Sequence, residues 1–349
     1  MFRGARFVIA WAFPLPVLAA LALGRSAALA LFSLIAIQLF LALVELLPFG
    51  HISFKPSEAS VLHRVVLRVH VPLQFALLAA GVWVSALPDS TALSVAAAGL
   101  AVGGITGAQG ITFAHELGHS RSALDRKLAW LLMSSVMYAH FMVEHYRGHH
   151  VKAATMEDPA SARLGESLWR FLPRTLSGSF SSAWRLERAR IVAHQIGWAQ
   201  SPLLWVSVGQ IAFVAVLGLA FGGKAVAFWL VQAAYAVFLL EAINYVEHYG
   251  LVRQPGERFL AHHAWNADHA LTNSLIANLQ RHSDHHMKAW KPYPALEALH
   301  GPQLPTGYVG CQFLACFPPL WFKVMHPRLQ SNSTLRTTGS GASDSLPVS

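Results

Sequence analysis

Nine histidines in four short groups carry the chemistry of this sequence. Residues 279–286 read LQRHSDHH, so His282, His285 and His286 fall at i, i+3 and i+4, one helix face able to hold a metal together. Upstream, HELGH (115–119) offers His115 and His119 at i and i+4, EHYRGHH (144–150) offers His145, His149 and His150, and EHYG (247–250) offers His248. Each of these three groups lies just past a strongly apolar segment. A single zinc takes three or four protein ligands, so nine histidines point to two metals. Imidazole suits iron, zinc, copper and nickel, and residue type alone does not name the metal. HELGH taken alone is also the HExxH zinc-protease signature, with Glu116 as general base. A protease would leave the other seven clustered histidines without a role.

Carboxylates accompany every group: Glu116, Glu144, Glu247 and Asp284. They could accept the second ring N–H of a ligand histidine, which fixes the tautomer, or be salt-bridged to Arg147, Arg253 and Arg281. His262, His263 and His269, in HHAWNADH shortly before the last group, are further candidates for hydrogen-bonding partners of the site. His51, His63, His70, His140, His194, His300 and His326 are isolated and read as structural or surface residues.

The elements that must position these groups are membrane spans. The chain has 349 residues, 54% hydrophobic and only 12% charged, where soluble domains carry about 25% charged residues. Apolar runs at 7–23, 27–47, 69–87, 91–114, 203–221 and 225–246 predict six transmembrane helices in three hairpins, an all-α integral membrane protein. The first run alone could be a signal peptide, but a second run follows after three residues with no polar domain between. Gly99, Gly103 and Gly107 repeat every fourth residue along the fourth span, which predicts close approach by another helix. The run Leu128–Val143 is short for a span, and a crossing there would place HELGH and EHYRGHH on opposite faces; it reads as an interfacial or buried helix. Residues 1–329 form one membrane-embedded domain with polar segments 115–202 and 247–329, and from Gln330 the Ser, Thr and Gly content predicts a disordered tail (330–349).

With six spans, both termini and all four histidine groups share one side. Of 26 basic residues only Arg25 and Lys224 fall opposite, so the positive-inside rule makes the histidine side cytoplasmic. The net charge of +9 is thereby accounted for without nucleic acid. Cys311 and Cys316 are too few for a thiolate-bound iron–sulfur centre, which takes four, so they read as packing residues and any electrons must come from another protein.

HELGH, EHYRGHH, NYVEHYG and LQRHSDHH, in this order among six spans, resemble the membrane-bound alkane 1-monooxygenases of the fatty-acid desaturase and hydroxylase superfamily. EDPASARLGESLWRFLPRT (157–175) and LPTGY (304–308) extend the resemblance, which covers residues 40–327. It implies that His115, His119, His145, His149, His150, His248, His282, His285 and His286 ligate two non-haem iron ions. It further implies dioxygen as oxidant, rubredoxin as electron donor with its reductase and NADH upstream, and a medium-chain n-alkane entering from the membrane lipid to leave as a 1-alkanol. A bacterial inner membrane is the implied location. Two departures stand out: Ser120 follows HELGH where the family often has lysine, and the N-terminal region is short, which bears on the channel entrance. Phe32, Phe40 and Trp83 could limit chain length, though at helical spacing they also fit packing or lipid contact. A xylene-type aromatic methyl monooxygenase is the nearest alternative, followed by a fatty-acyl desaturase. A metal transporter would place ionisable ligands near the bilayer midplane, whereas these groups sit at helix ends.

Overall fold

The computed structural model describes residues 5–47 and 54–339, with side chains as far as residue 331. His51 and residues 340–349 of the expected tail lie outside the described residues. Six helices are long and apolar enough to span a membrane: α1 (Ala5–Ala22), α2 (Ala27–Leu46), α3 (Val61–Ala86), α4 (Ala92–Gly118), α8 (Pro202–Phe221) and α9 (Gly223–His248). Between α4 and α8 lie α5 (Ala123–Ser135), α6 (residues 141–152) and α7 (Leu168–Ala193). After α9 come α10 (Ala270–Leu275), α11 (His282–Met287), α12 (Tyr308–Ala315) and α13 (Pro318–Gly339). Among the described residues there is no strand, only a bridge between Asn266 and Gln303. The protein is an all-α, multi-pass membrane protein.

Local chemistry sets the helix boundaries. Ser26, Thr91, Ser122, Ser167 and Ser201 each accept a backbone N–H of the first turn and so cap α2, α4, α5, α7 and α8. Gly222, at φ +81°, turns the chain from α8 into α9 at a conformation glycine tolerates best. On that side of the bundle Lys224 donates to the carbonyls of Pro88 and Ser90 at 3.2 and 2.7 Å, and Arg25 stacks over Trp83. The two basic residues opposite the histidines therefore stitch neighbouring turns together.

Three boundaries differ from the sequence expectation. The third span begins at Val61 rather than residue 69, because Ser60 and His63 form a reciprocal cap ahead of it. At 26 residues it is ~39 Å long against a hydrocarbon core of ~30 Å, so its first turns, with Arg64 and Arg68, project beyond the membrane. The stretch 128–143 is not among the spans, as expected, but neither is it one helix: α5 ends at Ser135, Met137 takes φ +57°, and α6 starts at Phe141. Third, α13 runs to Gly339, past the Gln330 boundary that composition set for the tail; no glycine or proline interrupts residues 328–338.

The core sits between α4 and α9. A Cβ on Gly99 would lie 2.6 Å from Val231 Cγ1, on Gly103 2.7 Å from the Gln232 carbonyl oxygen, and on Gly107 2.9 Å from Ala236 Cα. The expected small-residue stripe thus lets α9 lie directly on α4, and these two helices end at His115–His119 and His248. Three of the isolated histidines have structural partners: His70 pairs with Gln74 at 3.0 Å, His63 accepts from the Ser60 N–H at 2.9 Å, and His326 meets the Tyr249 hydroxyl at 2.9 Å. Gly103→Val should push α4 and α9 apart, destabilising the detergent-solubilised protein by about 1–3 kcal/mol and lowering metal retention. Gly209→Ala, on the open face of α8, should leave thermal unfolding unchanged. Equal melting of both variants and wild type would mean the stripe does not set the helix spacing.

Candidate metal centre

Four helix segments deliver the nine histidines to one buried chamber on the same side of the bundle. His115 and His119 end α4, His248 ends α9, and α6 and α11 supply three each. In α6 the backbone makes a π turn over His145–His149. An α-helix would rotate residue i+5 by about 140° from residue i, whereas i→i+5 bonding brings the two nearly into line. His145 and His150 consequently face the same point, Nε2 to Nε2 3.0 Å. The six-residue α11 is too short to be stable alone and is held from outside. Arg281, fully buried, bonds Asp268 at 3.0 Å and the carbonyls of Leu296 and Phe54 at 2.6 and 2.7 Å. Asn266 accepts the Ser283 N–H at 2.9 Å.

The nine ring donors separate into two groups, each with its ligand atoms within 4.8 Å of one another: His115, His119, His145, His150 and His285; and His149, His248, His282 and His286. Facing Nε2 atoms lie 3.3 Å apart for His285 and His150 and 3.2 Å apart for His282 and His248. Ligands about 2.1 Å from a common tetrahedral or octahedral ion stand ~2.9–3.4 Å from each other, so the spacing fits a metal in each group. His119 Nε2, His149 Nε2 and His286 Nε2 are buried without a hydrogen-bond partner among the described residues, a cost that coordination removes. The rings of His150 and His286, tilted by 38° with centres 4.6 Å apart, join the two groups into one chamber.

The electrostatics favour the metal-binding form of the rings. Burial pulls His119 down to about 2, helped by neighbouring His150, and holds His145, His150, His282, His285 and His286 well below the ordinary histidine range, their mutual repulsion adding to it. These imidazoles are neutral at physiological pH, as ligation requires. His149 differs. Burial lowers it too, but the Asp158 carboxylate 2.9 Å from its Nδ1 outweighs burial and raises it to about 9. Asp158 itself stays below the usual carboxylate range despite burial, held by His149 and by the Ser161 hydroxyl at 2.6 Å. The pair keeps the His149 proton on Nδ1 and presents Nε2 to the chamber.

The expected carboxylate partners divide. Glu247 lies 3.2 Å from His282 Nδ1 and accepts the Tyr308 hydroxyl at 2.6 Å. Glu116 lies 3.5 Å from His115 Nδ1. Glu144 hydrogen-bonds Ser182 and acts on His149 only through its charge. Asp284 also turns away, to Lys291 at 2.7 Å, Lys288 at 3.5 Å and the Glu297 N–H at 2.8 Å. None of the four pairs with Arg147, Arg253 or Arg281, which bond instead to Glu187, backbone carbonyls and Asp268. The His263 backbone hydrogen-bonds His248, while the rings of His263 and His262 lie on the far side of Phe259, whose ring stacks 4.7 Å from that of His286. His269 begins α10, its backbone N–H on Gln280. The residue that sequence reasoning missed is Asp158, nine positions after His149 in the segment EDPASAR; Tyr308, in LPTGY, is the second.

The family model described as fatty acid desaturase matches residues 90–315. Alkane 1-monooxygenase 1 of Pseudomonas aeruginosa is 45% identical over 241 residues, covering 66% of this chain and 63% of that protein, so the chain spans less than two thirds of this relative. Alkane 1-monooxygenase 2 of the same organism is 41% identical over 286 residues, 78% of this chain and 75% of that protein. The xylene/toluene monooxygenase hydroxylase component XylM of Pseudomonas putida is more distant, 29% identical over 262 residues, 73% of this chain and 70% of that protein. With nine histidines gathered beside a bundle of six spans, the chain belongs to the fatty acid desaturase family and, within it, to the alkane 1-monooxygenases.

Proposed function

We propose that the protein hydroxylates the terminal methyl group of medium-chain n-alkanes at a di-iron centre held by the nine histidines, with dioxygen as oxidant and two electrons from rubredoxin. The reaction balances as R–CH3 + O2 + 2 e− + 2 H+ → R–CH2OH + H2O. The observation that carries the reading is an apolar cavity within the spans that borders the chamber through Ile111 and Tyr308 without a ligand histidine in its wall. Phe13, Leu41, Ile111, Leu239, Ile243 and Leu275 line it, with Tyr308 at its foot. Ile111 stands one turn before His115, and Tyr308 links the cavity to the second histidine group through Glu247 and His282. Glu45, buried near the end of α2, accepts from Thr272 at 2.8 Å and from the Gly310 N–H at 3.0 Å, tying α2 to α10 and α12 around the same cavity.

When bound, the iron pair supplies the dioxygen-reducing chemistry. The chain's own residues do the rest. An alkane has no polar handle, so specificity must come from shape: the apolar walls hold the chain extended and bring one terminal carbon to the chamber while excluding water. Asp158 and Glu247 orient ligand rings. Phe32, Phe40 and Trp83 do not contribute to this cavity; they are exposed on the outside of the bundle, as lipid contacts. The basic residues gathered on the histidine side support a cytoplasmic chamber in a bacterial inner membrane. The higher identity to the alkane enzymes than to XylM supports an alkane over an aromatic methyl group.

Purified protein is expected to hold about two irons per chain by metal analysis, in line with two ligand groups, and stoichiometric zinc without iron would defeat the proposal. Asp158→Asn should weaken iron binding by about 10–100-fold, read by titration with a chelator; unchanged affinity would free His149 of any dependence on Asp158. Membranes given rubredoxin, reductase and NADH should convert a medium-chain alkane to its 1-alcohol, and Leu41→Trp should cut turnover of the longest accepted alkanes about tenfold while sparing shorter ones. Turnover of xylene with none of any alkane would move the assignment to the aromatic enzymes. A cysteine placed at Gly223 should react with an impermeant maleimide from outside intact cells; protection there combined with external labelling of a cysteine at Lys288 would invert the orientation.

A further inference from the structure

Beside the metal chamber a cleft of about 340 Å³ opens where α4 ends and α8 begins, Gly118 and Pro202 being the boundary residues. It presents three guanidinium groups, Arg126, Arg147 and Arg190, against one lining carboxylate, Glu187. Glu187 is already engaged. It receives Arg190 through two bonds of 2.7 and 2.9 Å and the Ser201 hydroxyl at 2.7 Å. Arg147 reaches it only at 3.6 Å and stays half exposed. Arg126 is fixed in direction by the carbonyls of Ser120 and Arg121 at 3.0 and 2.8 Å, acceptors that leave its charge uncompensated.

The surroundings place this charge at a membrane surface. On α7, Trp169, Leu176 and Phe180 are exposed and share one face at i, i+7 and i+11, the pattern of a helix lying in the interface. Trp198 and Trp205, exposed where the chain enters α8, stand at the level of an aromatic belt. The cleft's own walls are mixed in the same sense, with Trp130, Met142 and Leu203 facing the guanidinium groups. Its floor is Tyr146, whose hydroxyl donates to the His115 carbonyl at 2.9 Å and whose ring lies 4.6 Å from that of His119.

From these observations we propose that the cleft binds the phosphate headgroup of an anionic phospholipid of the surrounding bilayer. Arg147 and Arg126 engage the phosphate oxygens, and the start of the acyl chains lies over Trp130. Guanidinium groups match phosphate oxygens in charge and in paired N–H geometry, and basic pockets between spans suit such headgroups. A headgroup there covers the Tyr146 side of the five-histidine group and keeps water from it. Free phosphate shares the anionic chemistry but cannot use the apolar wall.

Native mass spectrometry of the full chain in detergent, titrated with phosphatidylglycerol or with phosphatidylcholine of the same acyl chains, tests this. One phosphatidylglycerol per chain should be retained with about tenfold preference over phosphatidylcholine, and Arg147→Gln alone should reduce that preference several-fold. Arg126→Gln combined with Arg147→Gln should abolish it, while Lys127→Gln, an exposed basic residue outside the cleft, should not. Excess inorganic phosphate should leave lipid retention intact. Equal retention of the two lipids by wild type, a preference unchanged in Arg147→Gln, an equal loss in Lys127→Gln, or displacement of the lipid by phosphate would each overturn the proposal. Circular dichroism and metal content of Arg147→Gln matching wild type secure the comparison.

Discussion

The structure depends on the cost of leaving imidazole nitrogens buried and unpaired. Nine rings converge in one buried chamber, and imidazoles whose Nε2 atoms face one another at 3.0–3.3 Å cannot all satisfy each other by hydrogen bonding. An electron-pair acceptor at the centre of each group would relieve the arrangement. The rest of the fold can be read as what it takes to impose that convergence: α4 and α9 pressed together through a glycine stripe, a π turn in α6, and α11 clamped by a buried arginine. Each device spends local stability on the position of a few nitrogens.

Membrane insertion makes this strategy workable. Helices that span a bilayer satisfy their backbone internally, so their ends arrive at the membrane boundary as rigid posts. Ligands at the foot of α4 and α9 are positioned by span packing, and the short segments α6 and α11 need only close over them. The polar residues around the chamber are accordingly held by long-range bonds. Arg281 reaches Phe54, Glu45 reaches Thr272 and Gly310, and Arg6 donates to Asn278 at 2.8 Å, each tying the cover to the spans across most of the sequence.

What could be read from the sequence was whatever is local in it. Helical spacing brought His115 with His119 and His282 with His285 and His286, and hydropathy located all six spans. The division of the nine into five and four was not legible, because it turns on the π turn at 145–149 and on α6 facing both α4 and α11. Nor was the start of α3, where His63, Arg64 and Arg68 lower the hydropathy of a helix that has simply left the membrane; Arg68 pairs there with buried Asp125 at 2.7 Å. Asp158 escaped for a related reason. A carboxylate adjacent to a histidine in sequence attracts attention, yet Glu144 and Asp284 bond elsewhere, while the working partner of His149 lies on a loop that turns back through Ser161. Adjacency along a helix is poor guidance to a ring N–H, since neighbouring residues project in different directions.

The unequal division has a chemical consequence. A metal bound in the group of five would meet one more imidazole than a metal bound in the group of four, and so would keep fewer positions open for other ligands. The carboxylates follow the same asymmetry. In the group of four, His149 leans on Asp158 at 2.9 Å and His282 on Glu247 at 3.2 Å, whereas in the group of five only His115 has a carboxylate near it, at 3.5 Å. Carboxylate partners raise the basicity of the rings they hold, so the metal with more open positions also has the stronger donors. Glu247 adds a directional element, because the Tyr308 hydroxyl that bonds it also lines the apolar cavity. The cavity borders the four-histidine side through Tyr308, Glu247 and His282, and the Tyr146 cleft borders the five-histidine side. The chamber therefore has two chemically distinct faces, one turned to the apolar cavity within the spans and one to the charged cleft at the membrane boundary.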